Sequence, residues 1–462
     1  MGVIALADFG STYTKVCLVE PEEGRLVARA EAPTTTGSDL MEGYAAALEA
    51  AVGAAGEPVA IDERLAVSSA GGGLRVAAVG LVPELTAAAA RQAALNAGAR
   101  VECVLAGRLD EEKLEGLEAA RPEIVLFAGG TDGGQADLVL ENARRLAARR
   151  IDAVAVVACN REVAGEVAAL LGERGAPVEV AGNVMPGLGE IEVESARKAI
   201  LRLFLEHVIG GKGLSSAPEF GRMVMMPTPE AVFEATRVLA EGSPTEQGVG
   251  EAIVIDVGGA TTDVHSHRSL EAASPGIEDE LLPPPATLRT VEGDLGMRAG
   301  AEGVAAADGA WISSRSASSE AEIRQAVSLR AEDPGWIPAA PPEAELDGLL
   351  AVGCATQALW RHCGTMLLTR SAGGSPTLRR VGADLREVTL VIGTGGVFSH
   401  RDDGEQLLGQ ALERRAPRSL SPRQPRPRID SDYLLAPAGL LATHDRDAAW
   451  RLLKRNLLDS RP

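Results

Sequence analysis

Aromatic residues make up only 3% of this 462-residue chain. Its cores therefore cannot be built around Phe and Trp and must be packed with Ala, Val and Leu, which the 45% hydrophobic content supplies. Positive charge is also short. Lys and Arg number 45 against 65 Asp and Glu, a net charge of −20, which argues against nucleic acid or an anionic membrane as the main partner. No apolar stretch approaches the roughly 20 residues needed to cross a bilayer. Cysteine is sparse and unpaired in pattern: Cys17, Cys103, Cys159, Cys354 and Cys363 are odd in number, with no C-x-x-C. That pattern points to reduced thiols, most of them buried, in a cytoplasmic protein. The opening MGVIALADFG reads as a strand entering a loop, without the charged start and cleavage site of an export signal.

What the chain does have is one motif written twice. Asp8-Phe9-Gly10-Ser11-Thr12-Tyr13-Thr14-Lys15-Val16 follows the apolar run Val3–Ala7, and Asp256-Val257-Gly258-Gly259-Ala260-Thr261-Thr262-Asp263-Val264 follows Ala252–Ile255. Both read D-x-G-x-x-x-T-x-V. Gly10, Gly258 and Gly259 let backbone N–H groups approach an anion closely. Ser11, Thr12, Thr14, Thr261 and Thr262 add hydroxyl donors, and Lys15 adds a point charge for a terminal phosphate. Asp8 and Asp256 would repel a phosphate directly, but suit Mg²⁺ held largely through water. Either loop alone reads equally well as an ordinary hairpin or βα turn. Two in matching frame point to two related lobes gripping one polyphosphate.

The length allows two or three domains. Residues 1–66 read as strands and turns with a helix near Gly43–Ala55. From Leu65 to Val208 short apolar strands (Val101–Leu105, Ile124–Ala128, Ala153–Ala158, Val178–Val180) alternate with helices, which predicts a largely parallel sheet. Gly129–Gly134 is either an anion cradle at a helix start or a plain βα turn. Gly210-Gly211-Lys212 is no P-loop, because Glu206 stands where the motif needs Gly. In the second half, the pattern predicts a helix over Glu230–Ala240, an exposed Pro-rich connector over Ser274–Thr287 and an apolar helix over Leu346–Leu368. A buried strand at Thr389–Ile392 runs into Gly393-Thr394-Gly395-Gly396. Arg414–Arg428, with six arginines and no acids, reads as an irregular surface arm. His362 is either a border of a nucleotide pocket or a packed core residue.

This order of elements resembles the actin-like ATPase superfamily of actin, sugar kinases and heat-shock chaperone ATPases. Asp8–Lys15 and Asp256–Asp263 resemble its two phosphate loops, and Leu390–Gly396 its adenosine turn. Pro227–Ala240 and Tyr433–Ala442 stand in the places of its two connecting helices, and Gly293-Asp294-Leu295-Gly296 resembles the segment after the second phosphate loop. More narrowly, Ala70–Gly73, Phe127–Gly134, Gly182–Pro186 and Val291–Arg298 resemble the MutL/GlmL family. Its members are encoded beside adenosylcobalamin-dependent glutamate mutase and are unrelated to the mismatch-repair protein of the same name.

The resemblance implies an α/β fold of two lobes, each a ribonuclease-H-like domain, with lobes at 1–250 and 251–462 and an α/β insertion at about 65–208. It implies ATP and Mg²⁺ as ligands, with Asp8 and Asp256 holding the metal through water and serving catalysis. Gly10, Ser11, Thr12, Thr14, Lys15, Gly258, Gly259, Thr261, Thr262, Gly393, Thr394, Gly395 and Gly396 would bind the nucleotide. The function it implies is that of a slow ATPase, an accessory or reactivating protein for an adenosylcobalamin-dependent mutase. Three alternatives share the superfamily. A small-molecule kinase needs a carboxylate base at a substrate pocket. A filament or scaffold needs no chemistry. An activase passing electrons through an iron–sulfur cluster needs paired cysteines, for which only Cys354 and Cys363 stand near each other.

Overall fold

Apolar segments short enough for strands and buried on both faces form the middle of each five-stranded sheet. The computed structural model describes all residues except 1, 57, 71–73, 174, 210–212, 271–276, 281–282, 317, 334, 339, 370–375 and 460–462. The expected features at Gly71–Gly73 and Gly210–Lys212 thus lie outside the described residues. The chain divides into two compact units: Gly2–Leu18 with Ala28–Ala231, and Val19–Val27 with Val232–Pro462.

In the first unit, β1 (Val3–Phe9), β2 (Tyr13–Glu20), β3 (Arg25–Pro33) and β4 (Ile61–Ser68) come first in the chain. A second sheet follows, made of β5 (Arg75–Gly80), β6 (Arg100–Ala106), β7 (Ile124–Gly129), β8 (Val154–Cys159) and β9 (Val178–Val180), and then β10 (Val224–Pro227) returns to the first. The first sheet has the order β10-β4-β1-β2-β3, with β1, β4 and β10 parallel. The outer ends of β2 and β3 are counted with the second unit. The segment 65–68, which the sequence places in the insertion, is the end of β4 and pairs with β1. The inserted sheet is wholly parallel in the order β6-β5-β7-β8-β9, the doubly wound plan with helices on both faces. Every residue of β7 and β8 is buried, as a parallel sheet covered on both faces requires.

The second unit repeats the first sheet. Its strands are β11 (Ala252–Val257), β12 (Thr262–His267), β13 (Ile277–Asp279), β14 (Thr287–Glu292), β15 (Thr365–Thr369), β16 (Thr377–Val381), β17 (Leu390–Thr394) and β18 (Arg426–Ile429). Five of them pair in the order β14-β12-β11-β17-β18, with β12 antiparallel to β11 and β14, and β17 and β18 parallel. Counted in chain order within each sheet, both units read 3-2-1-4-5. The fold class expected from the resemblance, a duplicated ribonuclease-H-like α/β fold with an α/β insertion, is the one observed. Ile253 and Ile255 are fully buried with Val352, Leu350 and Leu408 in a core of aliphatic side chains, each worth about 1.5–3 kcal/mol on burial. Among the described residues no helix is long and apolar enough to cross a membrane.

Three expectations fail, each because a distant partner overrides a local pattern. The helix expected over Leu346–Leu368 is Pro341–His362. Proline suits its first turn, where an N–H has no helical partner. Cys363 leaves the helix in an extended conformation, and β15 then pairs antiparallel with β16. The connector expected over Ser274–Thr287 contains β13, which joins β16 in a three-stranded sheet, with Arg380 Nε donating to Asp279 at 2.6 Å. The Arg-rich segment is no surface arm. Arg414 donates two hydrogen bonds to Asp308, at 2.5 and 2.7 Å, and lies 4.1 Å over the Trp311 ring. Leu420 and Ser421 are buried, and β18 is the fifth strand of the sheet.

The Arg414→Ala variant strands Asp308, which is only 5% exposed, and is expected to lower folding stability by about 2–4 kcal/mol. Arg423, exposed beside exposed Glu387, is expected to cost less than about 0.5 kcal/mol as Ala. Urea unfolding followed by tryptophan fluorescence separates the two.

Candidate functional site

Asp8 closes the second half of β1, and the chain turns at once into β2. Gly10 N–H donates to Tyr13 C=O at 3.2 Å, tying the turn. A Cβ at Gly10 would lie 2.6 Å from that oxygen, so only glycine fits. Asp8 is 9% exposed. It accepts from the Thr228 hydroxyl at 2.6 Å, and Lys15 Nζ stands 4.0 Å from its other oxygen. Burial holds its carboxyl above the ordinary carboxylate range, opposed by the Lys15 charge and the Thr228 hydrogen bond. Ser11 and Thr12 are exposed at the tip. Thr14 is not with them: its hydroxyl is buried and shares a 3.1 Å hydrogen bond with that of Thr34.

The second unit makes the same turn. Asp256 is the penultimate residue of β11, and Gly258 N–H donates to Thr261 C=O at 2.9 Å. Gly259 and Ala260 are exposed, while Thr262 is buried, donating to Leu295 C=O at 2.9 Å. The segment after the turn grips it from behind: Met297 N–H donates to Gly258 C=O at 2.9 Å and Arg298 N–H to Gly259 C=O at 2.6 Å. Below, Asp263 accepts Arg289 Nε at 2.9 Å and the Thr261 hydroxyl at 3.3 Å. Arg289 is 2% exposed, so this ion pair fixes the base of the loop from inside the sheet.

The turn at Gly393–Gly396 meets this loop within the same unit. Thr394 pairs in register with Asp256 on the neighbouring strand. Gly395 adopts φ +97°, and a Cβ there would lie 2.2 Å from Val257 C=O, so it too must be glycine. Gly396 is exposed. Gly393 is not part of this surface, since it packs under Ile429 and Leu408. The resulting group of Asp256, Gly258, Gly259, Thr261, Gly395 and Gly396 is contiguous, with Thr394 buried behind it. So is that of Asp8, Gly10, Ser11, Thr12 and Lys15 in the first unit.

Three contributors were not singled out in the sequence, although Thr228 and Tyr433 lie in the segments expected as connecting helices. Thr228 holds Asp8 from 220 residues away. Asp430, 2% exposed, accepts from Leu434 N–H at 2.7 Å, Leu435 N–H at 3.1 Å and the Thr394 hydroxyl at 3.4 Å. It thereby satisfies the first N–H groups of the following helix and pins the Gly393–Gly396 turn. Tyr433, whose φ is +53°, faces His400 with ring centres 5.7 Å apart. The one available signal was Asp430 itself, an acid just before the apolar run Leu434–Leu441. Glu230, at the start of the expected helix, is fully buried in an ion pair with Arg197. His362 is a core residue: it bonds Ser266 at 2.7 Å and Thr290 at 2.8 Å, and burial pushes its pKa down to about 3. Cys354 and Cys363 are buried free thiols. Burial pushes Cys354 up to about 12 and Cys363 higher still, which disfavours the thiolate that cluster ligation needs.

The sequence profile of the MutL protein family matches residues 4–457. The chain is 39% identical over 461 residues to Protein MutL of Clostridium tetanomorphum, covering 99% of this chain and 100% of that one. The chain belongs to the MutL family. Solved structures similar to this MutL-family chain include component A of (R)-2-hydroxyglutaryl-CoA dehydratase from Acidaminococcus fermentans. It is 11% identical, with 98% of this chain and 99% of that chain covered and a TM-score of 0.31. Another is the activator of 2-hydroxyisocaproyl-CoA dehydratase from Clostridium difficile, with bound ADPNP: 11% identical, 98% and 97% covered, TM-score 0.32. The fold itself is defined by the strand order that the two units share.

The Asp8 environment has a consequence for stability in this MutL-family chain. Its carboxyl binds a proton more tightly folded than unfolded. The stability it contributes is therefore present below the unfolded value, about 4, and lost as pH rises through the folded value. At neutral pH the ionised group is a cost to folding. Asp8→Asn is expected to raise the thermal midpoint at pH 7.5, by an amount that shrinks as pH falls toward 4. Thermal unfolding of both proteins across that range is the check.

Proposed function

We propose that this MutL-family chain is an ATP-binding, slowly ATP-hydrolysing accessory protein that reactivates an adenosylcobalamin-dependent mutase such as glutamate mutase. The observation that supports it most is the repeated turn, one copy per unit, each closed by a glycine N–H and each beginning at an aspartate on the first strand of its sheet. On this reading both turns engage one ATP. Backbone N–H groups of Gly10, Gly258 and Gly259 and the hydroxyls of Ser11, Thr12 and Thr261 hold the β- and γ-phosphates, and Lys15 offsets the terminal charge. Gly395 and Gly396 let the backbone lie against the adenosine. Thr14, Thr262 and Gly393, though part of the same motifs, support the turns from within.

The donor set suits magnesium. No group of three or more His, Cys, Asp or Glu that could hold a metal occurs among the described residues. An ion here takes one or two carboxylates and fills its remaining positions with water and phosphate, as Mg²⁺ favours. Asp8 and Asp256 would hold it, and its charge would neutralise the leaving oxygens. Asp8, held by burial and by Thr228, would orient the attacking water, and Asp256 would do the same from the other turn. Hydrolysis removes a phosphate that both turns hold, so ATP and ADP favour different conformations, and a partner that distinguishes them is driven by the nucleotide. The inserted α/β sheet, Arg75–Val180, is a natural place to grip the mutase. The chemistry belongs in the cytoplasm, where the thiols stay reduced.

The test uses purified glutamate mutase carrying an inactive cobalamin. With Mg-ATP and free adenosylcobalamin, the chain is expected to restore mutase activity, and with ADP it is not. Asp256→Ala is expected to lower the recovery rate at least about tenfold, about 1.4 kcal/mol. No retention or recovery of the mutase in any nucleotide state contradicts the mutase role. Rapid phosphorylation of a metabolite would favour a kinase, and ATP-dependent pelleting a filament.

A further inference from the structure

The second unit carries a groove of about 650 Å³ between helix Glu320–Glu332 and the first turns of helix Pro341–His362. Its wall is apolar: Leu329, 59% exposed, Trp336 and Leu346. Its rim is acidic. Glu332, Glu343 and Glu345 are exposed along it, and none of the three has an ion-pair partner among the described residues. The one cation among the described lining residues, Arg330, is 3% exposed and fully used. It donates to Asp347 at 2.7 Å and to two backbone carbonyls, and lies 4.7 Å from the Trp336 ring centre.

An exposed leucine beside a half-buried tryptophan, ringed by carboxylates without cations, calls for a ligand with the opposite pattern. We propose that this groove docks an amphipathic helix of a protein partner, with leucine-like anchors at i and i+3 or i+4 and lysine or arginine on both flanks. Two helices flank the groove, which suits a third lying across them. A second copy of this chain does not fit, because a net charge of −20 repels its own kind. Nor does the chain's own Arg-rich segment, which is committed to Asp308 and to β18.

The groove is tied to the second turn by one residue. Arg298 donates its backbone N–H to Gly259 C=O, its Nε to Trp336 C=O at 3.0 Å and its Nη2 to Asp347 at 3.1 Å. A change in the Gly259 carbonyl therefore bears directly on the residue that holds the groove's tryptophan. We infer that nucleotide at this turn alters groove affinity, a part of the inference that rests on the ATP reading above.

The probe is a fluorescein-labelled Leu/Lys peptide of about 14 residues, four helical turns, with a Leu/Glu peptide of equal length as control. Anisotropy is measured on the full chain at physiological salt. Without nucleotide, the Leu/Lys peptide is expected to bind and the Leu/Glu peptide not. Leu329→Ser with Glu343→Lys/Glu345→Lys is expected to weaken binding at least about tenfold. The charge-matched control Glu112→Lys/Glu115→Lys, on a helix of the other unit, and Leu378→Ser, exposed on the three-stranded sheet, are expected to leave it unchanged. Equal affinity of groove and control variants, or equal binding of both peptides, overturns the docking site. Mg-ATP is expected to shift the wild-type affinity at least about threefold. If calorimetry shows ATP uptake and the affinity does not move, the Arg298 link is overturned. If no ATP is taken up, the ATP reading fails, while the groove is still judged by the nucleotide-free arm.

Discussion

The structure depends on a hydrogen bond made twice: a glycine N–H, two residues past an aspartate, closing onto the carbonyl three residues further along. In both units it ends the first strand of a five-stranded sheet and starts the second. A side chain at Gly10 would collide with the carbonyl that accepts the bond. The turn's tightness keeps its tip exposed while its acid stays at the strand end. Around this constraint the two units differ. The first supports its aspartate with a threonine and a lysine, whereas the second supports its turn with the backbone of Gly296–Arg298 and with the buried Asp263–Arg289 pair.

Buried ion pairs do much of the positioning in the second unit. Asp263 meets Arg289, Asp308 meets Arg414, and Asp347 meets both Arg298 and Arg330. Such pairs add little net stability over well-packed apolar side chains, because desolvation offsets attraction, but leaving one member alone is costly. Their use here is geometric. Each fixes one segment against another where the aliphatic core, with few aromatics, offers little shape of its own.

The sequence carried strands such as β7, β11 and β17, because short apolar runs that end at glycine or aspartate are a local signal, but not β5, β13, β15, β16 or β18. It carried both turns, because aspartate, glycine and threonine recur in one frame. It carried the fold class through the order of these elements. It could not carry pairings between distant residues. Arginine in Arg414–Arg428 reads as surface until Asp308 and Trp311 are beside it. Ile277–Asp279 reads as a loop until β16 lies alongside. Within the turns, alternation along β2 and β12 sends Thr14 and Thr262 inward to Thr34 and Leu295, so a motif match overstated which hydroxyls face outward. Thr228, inside the expected connecting helix Pro227–Ala240, and Asp430 support the candidate site through contacts that no local pattern announces.

The central claim is that the two turns serve a single nucleotide. Titration calorimetry of the intact chain with ATP and magnesium addresses it most directly. The account predicts one ATP per chain, with magnesium required, and a loss of that single binding event when the aspartate of either turn is replaced by alanine. Two independent binding events, one surviving each replacement, or no uptake of ATP with magnesium present, would contradict it.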